Sequence, residues 1–334
     1  MKAAVCYGSG KPLVIENRPD PRPESGGVVI AVERCGICGS ELHLNDGPVY
    51  DFPDGIVMGH EFSGRIVELG REVNGLRIGQ RIAAFPAVGC GSCEACAAGN
   101  WILCPTALRI QGGYAEFAAI PAAAVIPLPE ELTPADGALV EPLTVSLYGL
   151  RLAAIRPGDR ILVLGAGTIA LCAIYWARRL GAGRIVALSR SARRAELARL
   201  MGADAFVTSG DGDREAVVAA LGGQADAAFE CVGVPGMLGK AIEHTRLLGQ
   251  VLSLGFCTSP DSLVPAAAGM KGITLQFPVG YSRQDFAYAA RSMLGGHVDP
   301  KVMISKVVQL DEFPARFAHL LGPNSETKVQ VSPQ

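Results

Sequence analysis

An excess of charge of one sign is missing from this chain: 30 Lys and Arg stand against 32 Asp and Glu over 334 residues, a formal net charge of -2. That balance leaves no basic footprint for nucleic acid. A long hydrophobic run is missing too. The longest uncharged apolar segment, ILVLGAGTIALCAIYWA at 161–177, falls short of the ~20 residues a bilayer demands and is interrupted by GAG, so it reads as buried strand, turn and helix. The opening MKAAVCYGSGKPLVIE has neither an apolar core nor a small-residue cleavage site, so nothing in it suggests secretion and a reducing cytoplasm is the expected setting. Internal repeats and low-complexity tracts are absent.

Cysteine is sparse, ten in all, yet Cys90, Cys93, Cys96 and Cys104 are crowded into the spacing CxxCxxCx7C. In a reducing compartment such density points to metal rather than disulfides. Two tight knuckles and a return ligand suit a tetrahedral thiolate zinc site, which is complete and therefore stabilises a loop without doing chemistry. A redox CxxC pair is the weaker reading, because it leaves two cysteines idle.

Length sets the domain count at about two, since single cores rarely grow past ~250 residues. Residues 1–148 carry short β-like runs (VVIAVE, GRIVELG, RIAAF, YAEFAAI) between Gly and Pro clusters, the pattern of a β-rich barrel or sandwich. Residues 149–285 alternate strand and helix: RILVL, GTIALCAIYWARRLGA, RIVAL, SARRAELARLMGA, AFV, REAVVAALGG, DAAFECVG, PGMLGKAIEHTRLLG, QVLSLGF and GITLQF. Alternation of this kind predicts α/β architecture with a doubly wound parallel sheet. Residues 286–334 are too few for a domain and are expected to complete the first half.

GAGTIA follows an apolar strand and opens a helix, the context that makes GxGxxG/A informative for a dinucleotide. Gly165 permits the turn, Gly167 lets the backbone approach a pyrophosphate, and the amides from Thr168 and Ile169 onward start the helix that receives it. The next strand ends in Ser189-Arg190, and no Asp or Glu occurs between Arg184 and Glu196. Without a carboxylate to repel a 2′-phosphate, and with Arg190 and Arg194 as donors, NADP(H) is preferred over NAD(H). The plainer alternative is that these arginines coat a solvated helix.

CGICGSELH at 35–43 and GHEF at 59–62 bring Cys38 and His60 into play, with Glu61 or Glu141 of VEPL as a carboxylate. Sulfur, nitrogen and oxygen donors with one position open are the catalytic kind of zinc site. Taken singly, each has a bland reading: Cys38 a small buried hydrophobe, His60 a core histidine, Glu141 a helix-start carboxylate.

The series GICGSELH, MGHEFSGRIVELG, the four-cysteine lobe, GGYAEF, VEPL and GAGTIA resembles the zinc-dependent medium-chain alcohol dehydrogenase family, in matching order over nearly the whole chain. The resemblance implies a GroES-like β-rich catalytic domain joined to a Rossmann cofactor domain. It implies two zincs: a catalytic one on Cys38, His60 and Glu141, with Glu61 approaching the metal during ligand exchange, and a structural one on the four clustered cysteines. It also implies a proton relay through Ser40 and His43, and a nicotinamide pocket lined by Cys231, Val232 and Gly255. Where the family usually has Asp after the GxCGS serine this chain has Glu41, which puts the hydrogen bond to His60 in question. Glu141-Pro142 resembles the polyol and threonine dehydrogenase branches.

The expected activity is hydride transfer between a secondary alcohol or polyol, or its carbonyl form, and a nicotinamide cofactor. An NAD-dependent polyol, threonine or sugar dehydrogenase is the alternative within enzymes, and a non-catalytic zinc and nucleotide-binding protein the alternative outside them. GITLQF resembles the family's edge strand that pairs subunits, so a homodimer or homotetramer is expected, with no membrane or nucleic acid partner. Tyr50, Phe85 and Tyr281 are offered as pocket-lining residues. His244, His297 and His319 read as structural or surface groups.

Overall fold

In GVVIAVERCG the side chains of Val28, Ile30 and Val32 fall on one face and are fully buried, as the two-residue period of a strand requires. The computed structural model describes residues 1–44 and 53–334, with the backbone alone at positions 43 and 44. Strand Gly27–Gly36 is the hub of a seven-stranded mixed sheet: Phe117–Pro121, Glu61–Leu69 and Lys328–Ser332 all pair with it antiparallel. Its apolar face, with Phe62, Ile66, Tyr114, Phe313 and Val331, forms one continuous core.

The second sheet is parallel and six-stranded. Its spatial order is Ala205–Thr208, Arg184–Ser189, Arg160–Leu164, Ala225–Glu230, Thr245–Ser253, Thr274–Gln276. The chain therefore builds outward from Arg160–Leu164 in one direction, then returns and builds in the other, which creates a switch point beside that strand where dinucleotides bind in sheets of this kind. Its central strands are mainly apolar, Ile161 to Leu164 and Ile185 to Val186 being wholly buried, because helices such as Thr168–Arg179 and Met237–His244 pack on it. The sequence pattern extends the helix of PGMLGKAIEHTRLLG to residue 249. The structure ends it at His244, and TRLLG opens the strand Thr245–Ser253. β-Branched Thr245 adopts extended backbone and Leu248 has a left-handed φ of 56°, neither of which a helix accommodates.

Two compact units result: Met1–Glu141 with Gly280–Leu294 and Ile304–Gln334, and Pro142–Val279 with Gly295–Met303. The first boundary lies at 141/142 rather than 148/149, because the body of the helix Val140–Leu152 is tied to the parallel-sheet unit: Trp176 Nε1 donates to Leu143 O at 2.8 Å and Ser146 Oγ to Ile169 O at 3.0 Å. The second falls at 279/280 instead of 285/286. No helix among the described residues is long and apolar enough to cross a membrane.

Candidate active site

The CxxCxxC lobe folds tightly on itself. Gly91 takes a left-handed φ of 79°, and a β-carbon on Gly89 would collide with Cys96 Sγ, so both glycines let the chain wrap its own sulfurs. One sulfur from each of Cys90, Cys93, Cys96 and Cys104 lies within 4.8 Å of the others, with Cys90 and Cys96 4.0 Å apart. A zinc tetrahedron of sulfurs has edges of about 3.8 Å, so the donors fit the ion with small closure. None of the four is in a disulfide. Hydrogen bonds from the Ser92 amide and hydroxyl, and from the Cys93 amide, lower the Cys90 thiol to about 5, so it offers a thiolate at neutral pH. This is a structural zinc site of four thiolates.

The second donor set grows from the hub strand. Cys38 follows its end at the start of the short helix Gly39–Leu44, while His60 and Glu61 lie where the neighbouring strand Glu61–Leu69 begins, directly across from Gly36. A β-carbon at Gly36 would overlap the Glu61 carboxylate, so glycine there makes room for the acid. Ligand atoms of Cys38, His60 and Glu61 all lie within 4.8 Å of one another. Glu41 accepts from His60 Nδ1 at 2.8 Å, which orients the ring and frees Nε2 for a metal. The extra methylene of Glu41 does not forfeit that bond: its other oxygen accepts from the Cys38 amide at 3.2 Å and from the Tyr114 hydroxyl. Ser40 Oγ donates to Cys38 Sγ at 3.1 Å.

Electrostatics match a cation at this point. Burial and then the Glu61 charge push the Cys38 thiol up. Burial opposes protonation of His60, yet the charges of Glu41 and Cys38 outweigh it and hold His60 well above the usual imidazole range. Sulfur, imidazole and carboxylate donors gathered within 4.8 Å of one another are the S, N and O set of a catalytic zinc site. Glu141, buried at the start of its helix, accepts from Tyr281 Oη at 2.5 Å; burial raises its pKa while the charge of His60 lowers it.

Lys328 is the residue the sequence hides. Only 3% exposed, it donates to Glu61 Oε2 at 2.6 Å, to Glu61 Oε1 at 2.9 Å and to Ile37 O at 3.1 Å. Nothing in KVQVS marks it, since a lysine that opens a strand after Thr327 reads as a solvated end. Tyr114 is equally unmarked. Of the pocket residues offered above, Tyr281 and Phe85 are buried, and Tyr281 reaches Glu141. Tyr50 and the side chain of His43 lie outside the described residues.

In the parallel-sheet unit the register aligns the nucleotide residues. Leu164 pairs with Leu188 on one side and Glu230 on the other, which places Gly165, Ser189 and Cys231 in one row at the carboxyl ends. Gly255 sits on the same edge, tight against Gly233, and the Glu230 carboxylate accepts from the amides of Val232 at 2.6 Å and Gly233 at 2.9 Å. Gly165 has a φ of 111°, and a β-carbon there would press on Val232. At Gly167 a β-carbon would point into open space, where a pyrophosphate can approach the first amides of Thr168–Arg179. Arg190 is exposed, and Arg194 donates to Ala166 O at 3.3 Å across the turn.

Residues 24–130 match the alcohol dehydrogenase GroES-like domain and residues 168–294 the zinc-binding dehydrogenase domain. The chain is 32% identical to the (R,R)-butanediol dehydrogenase of Bacillus subtilis, with 100% of each covered. It is 32% identical to the probable D-xylulose reductase A of Aspergillus terreus, with 90% of each covered. Among solved structures, a putative zinc-binding dehydrogenase from Sinorhizobium meliloti bound to NADP superposes with a TM-score of 0.91 at 30% identity, covering 99% of each chain. Given both donor sets, the glycine turn at the switch point and likeness from end to end, the chain belongs to the zinc-dependent medium-chain alcohol dehydrogenase family.

Proposed function

We propose that the protein interconverts a secondary alcohol or polyol with its carbonyl form, with NADP(H) as the preferred coenzyme. The observation that carries the reaction class is the convergence of Cys38, His60 and Glu61 donors within 4.8 Å. The relatives named for butanediol and xylulose support the substrate class. A zinc held there would supply Lewis acidity to the substrate hydroxyl, and a bound nicotinamide would supply the hydride acceptor. Cys38 and His60 would be the fixed ligands and Glu141 the third, while Glu61, whose carboxylate lies within 4.8 Å of the Cys38 and His60 donors, would take a place on the metal during exchange. Ser40 Oγ, held 3.1 Å from Cys38 Sγ, receives the substrate proton and passes it towards His43. His43→Gln is expected to lower kcat about tenfold to a hundredfold at neutral pH. Unchanged turnover from pH 6 to 9, on the order of the range that spans imidazole titration, would take His43 out of the relay.

Coenzyme choice rests on Ser189-Arg190 at the end of Arg184–Ser189 and on the missing acid. The expected kcat/KM ratio favours NADP(H) over NAD(H) by at least about tenfold, a difference of about 1.4 kcal/mol. A ratio favouring NAD(H) rejects the assignment, and Glu141-Pro142 then favours the NAD-dependent polyol, threonine or sugar dehydrogenase reading. Self-association is the remaining part of the proposal. Thr274–Gln276 is an edge strand flanked by exposed Met270 and Phe277, a surface suited to pairing with a second copy. A sedimenting mass of one chain rules that out.

A further inference from the structure

A line of aromatic side chains runs from the four-cysteine lobe to Glu141. Trp101 lies between Cys96 and Cys104 in the short helix Trp101–Leu103, and both it and Cys96 crowd the bare face of Gly89. Its ring meets Phe85 edge-on, with centroids 6.1 Å apart and planes at 86°. Phe85, wholly buried, meets Tyr281 edge-on at 5.6 Å and Phe286 at 5.4 Å. Tyr281, 2% exposed, then donates its hydroxyl to Glu141 at 2.5 Å. A second route runs alongside. Asn100, next to Trp101, fills the space that a β-carbon on Gly280, next to Tyr281, would occupy. Arg283 stacks on Trp101 at 5.4 Å while its guanidinium donates to the carbonyls of Ala123 and Val125.

Edge-on aromatic contacts in a dry core fix ring positions closely, because each ring touches neighbours on several sides and has few alternative rotamers. We propose that Tyr281 is a positioning residue for Glu141, and that the thiolate lobe, through Trp101 and Phe85, sets where Tyr281 stands. The lobe, though closed to substrate, thereby determines the placement of the acid that serves the catalytic metal. The inference rests on the reading of Glu141 as a ligand.

The test exchanges cobalt(II) for the more readily chelated zinc alone and records the visible ligand-field band of the protein without substrate, beside kcat and KM. Glu141→Ala must shift the band and lower kcat. Tyr281→Phe, which keeps the ring and removes only the hydroxyl, is expected to shift the band in the same sense and lower kcat about tenfold, the usual size for a partner that orients a ligand. Trp101→Leu is expected to do the same to a smaller extent, Trp101→Phe to restore the native band, and the double change to be no worse than Tyr281→Phe, since both act along one line. If Trp101→Leu does not fold, Phe85→Leu interrupts the same line. A native band and kcat in Tyr281→Phe or Trp101→Leu, or additive effects in the double variant, overturn the proposal while leaving Glu141 in its role. A native band in Glu141→Ala overturns the ligand reading and the proposal with it.

Discussion

Cys38→Ala is expected to lower kcat/KM about a thousandfold or more, the loss of about 4 kcal/mol that a Lewis acid contributes to a developing alkoxide. The metal content should fall at the same time from two zincs per chain to one. The remaining ion stays because the four sulfurs that hold it are a separate set, Cys90, Cys93, Cys96 and Cys104. Elemental analysis of the purified variant, with steady-state rates on the best available alcohol, makes the measurement. Two zincs with retained turnover would remove Cys38 from the active site. One zinc with retained turnover would place the chemistry elsewhere and return the chain to the class of zinc- and nucleotide-binding proteins.

Lys328→Met is the change expected to affect folding most among those at the site. The replacement is one atom shorter and uncharged, and it leaves Glu61 buried, 2% exposed, without its cation. Breaking one side of a buried pair costs about 3–5 kcal/mol, because an uncompensated charge remains out of water. Urea unfolding should show this loss in full after chelation and a smaller loss with zinc bound, since the metal also neutralises Glu61. The double change Lys328→Met with Glu61→Gln should recover much of it, as removal of both charges leaves nothing unpaired. A loss under about 1 kcal/mol in the chelated single variant would mean that the pair is balanced by water and not by the lysine.

Much of this was legible in the chain because the informative residues are close neighbours. The four cysteines lie within one loop, so spacing alone announces a tetrahedral cage, and GAGTIA lies between an apolar strand and a helix. The alternation of RILVL, RIVAL and DAAFECVG with amphipathic runs gave the parallel sheet, since strands buried on both faces read as nearly continuous apolar runs. What escaped depends on register between distant strands. Lys328 meets Glu61 only because Lys328–Ser332 joins the hub strand beside Gly36, and no local pattern encodes that pairing. Glu41 kept its bond to His60 for a similar reason. Tyr114, far along the chain, steadies the longer side chain from behind. The helix assigned through residue 249 failed at a turn whose left-handed Leu248 carries no glycine or proline at that position to give it away.

The position of Lys328 also orders events at the ribosome. Glu61 and Lys328 are 267 residues apart, and the whole parallel sheet is translated between them. At roughly 5–20 residues per second the carboxylate waits about 13–50 s for its ammonium partner. During that interval the first unit has been made without Lys328–Ser332, so Glu61 has no lysine partner until the chain is almost complete.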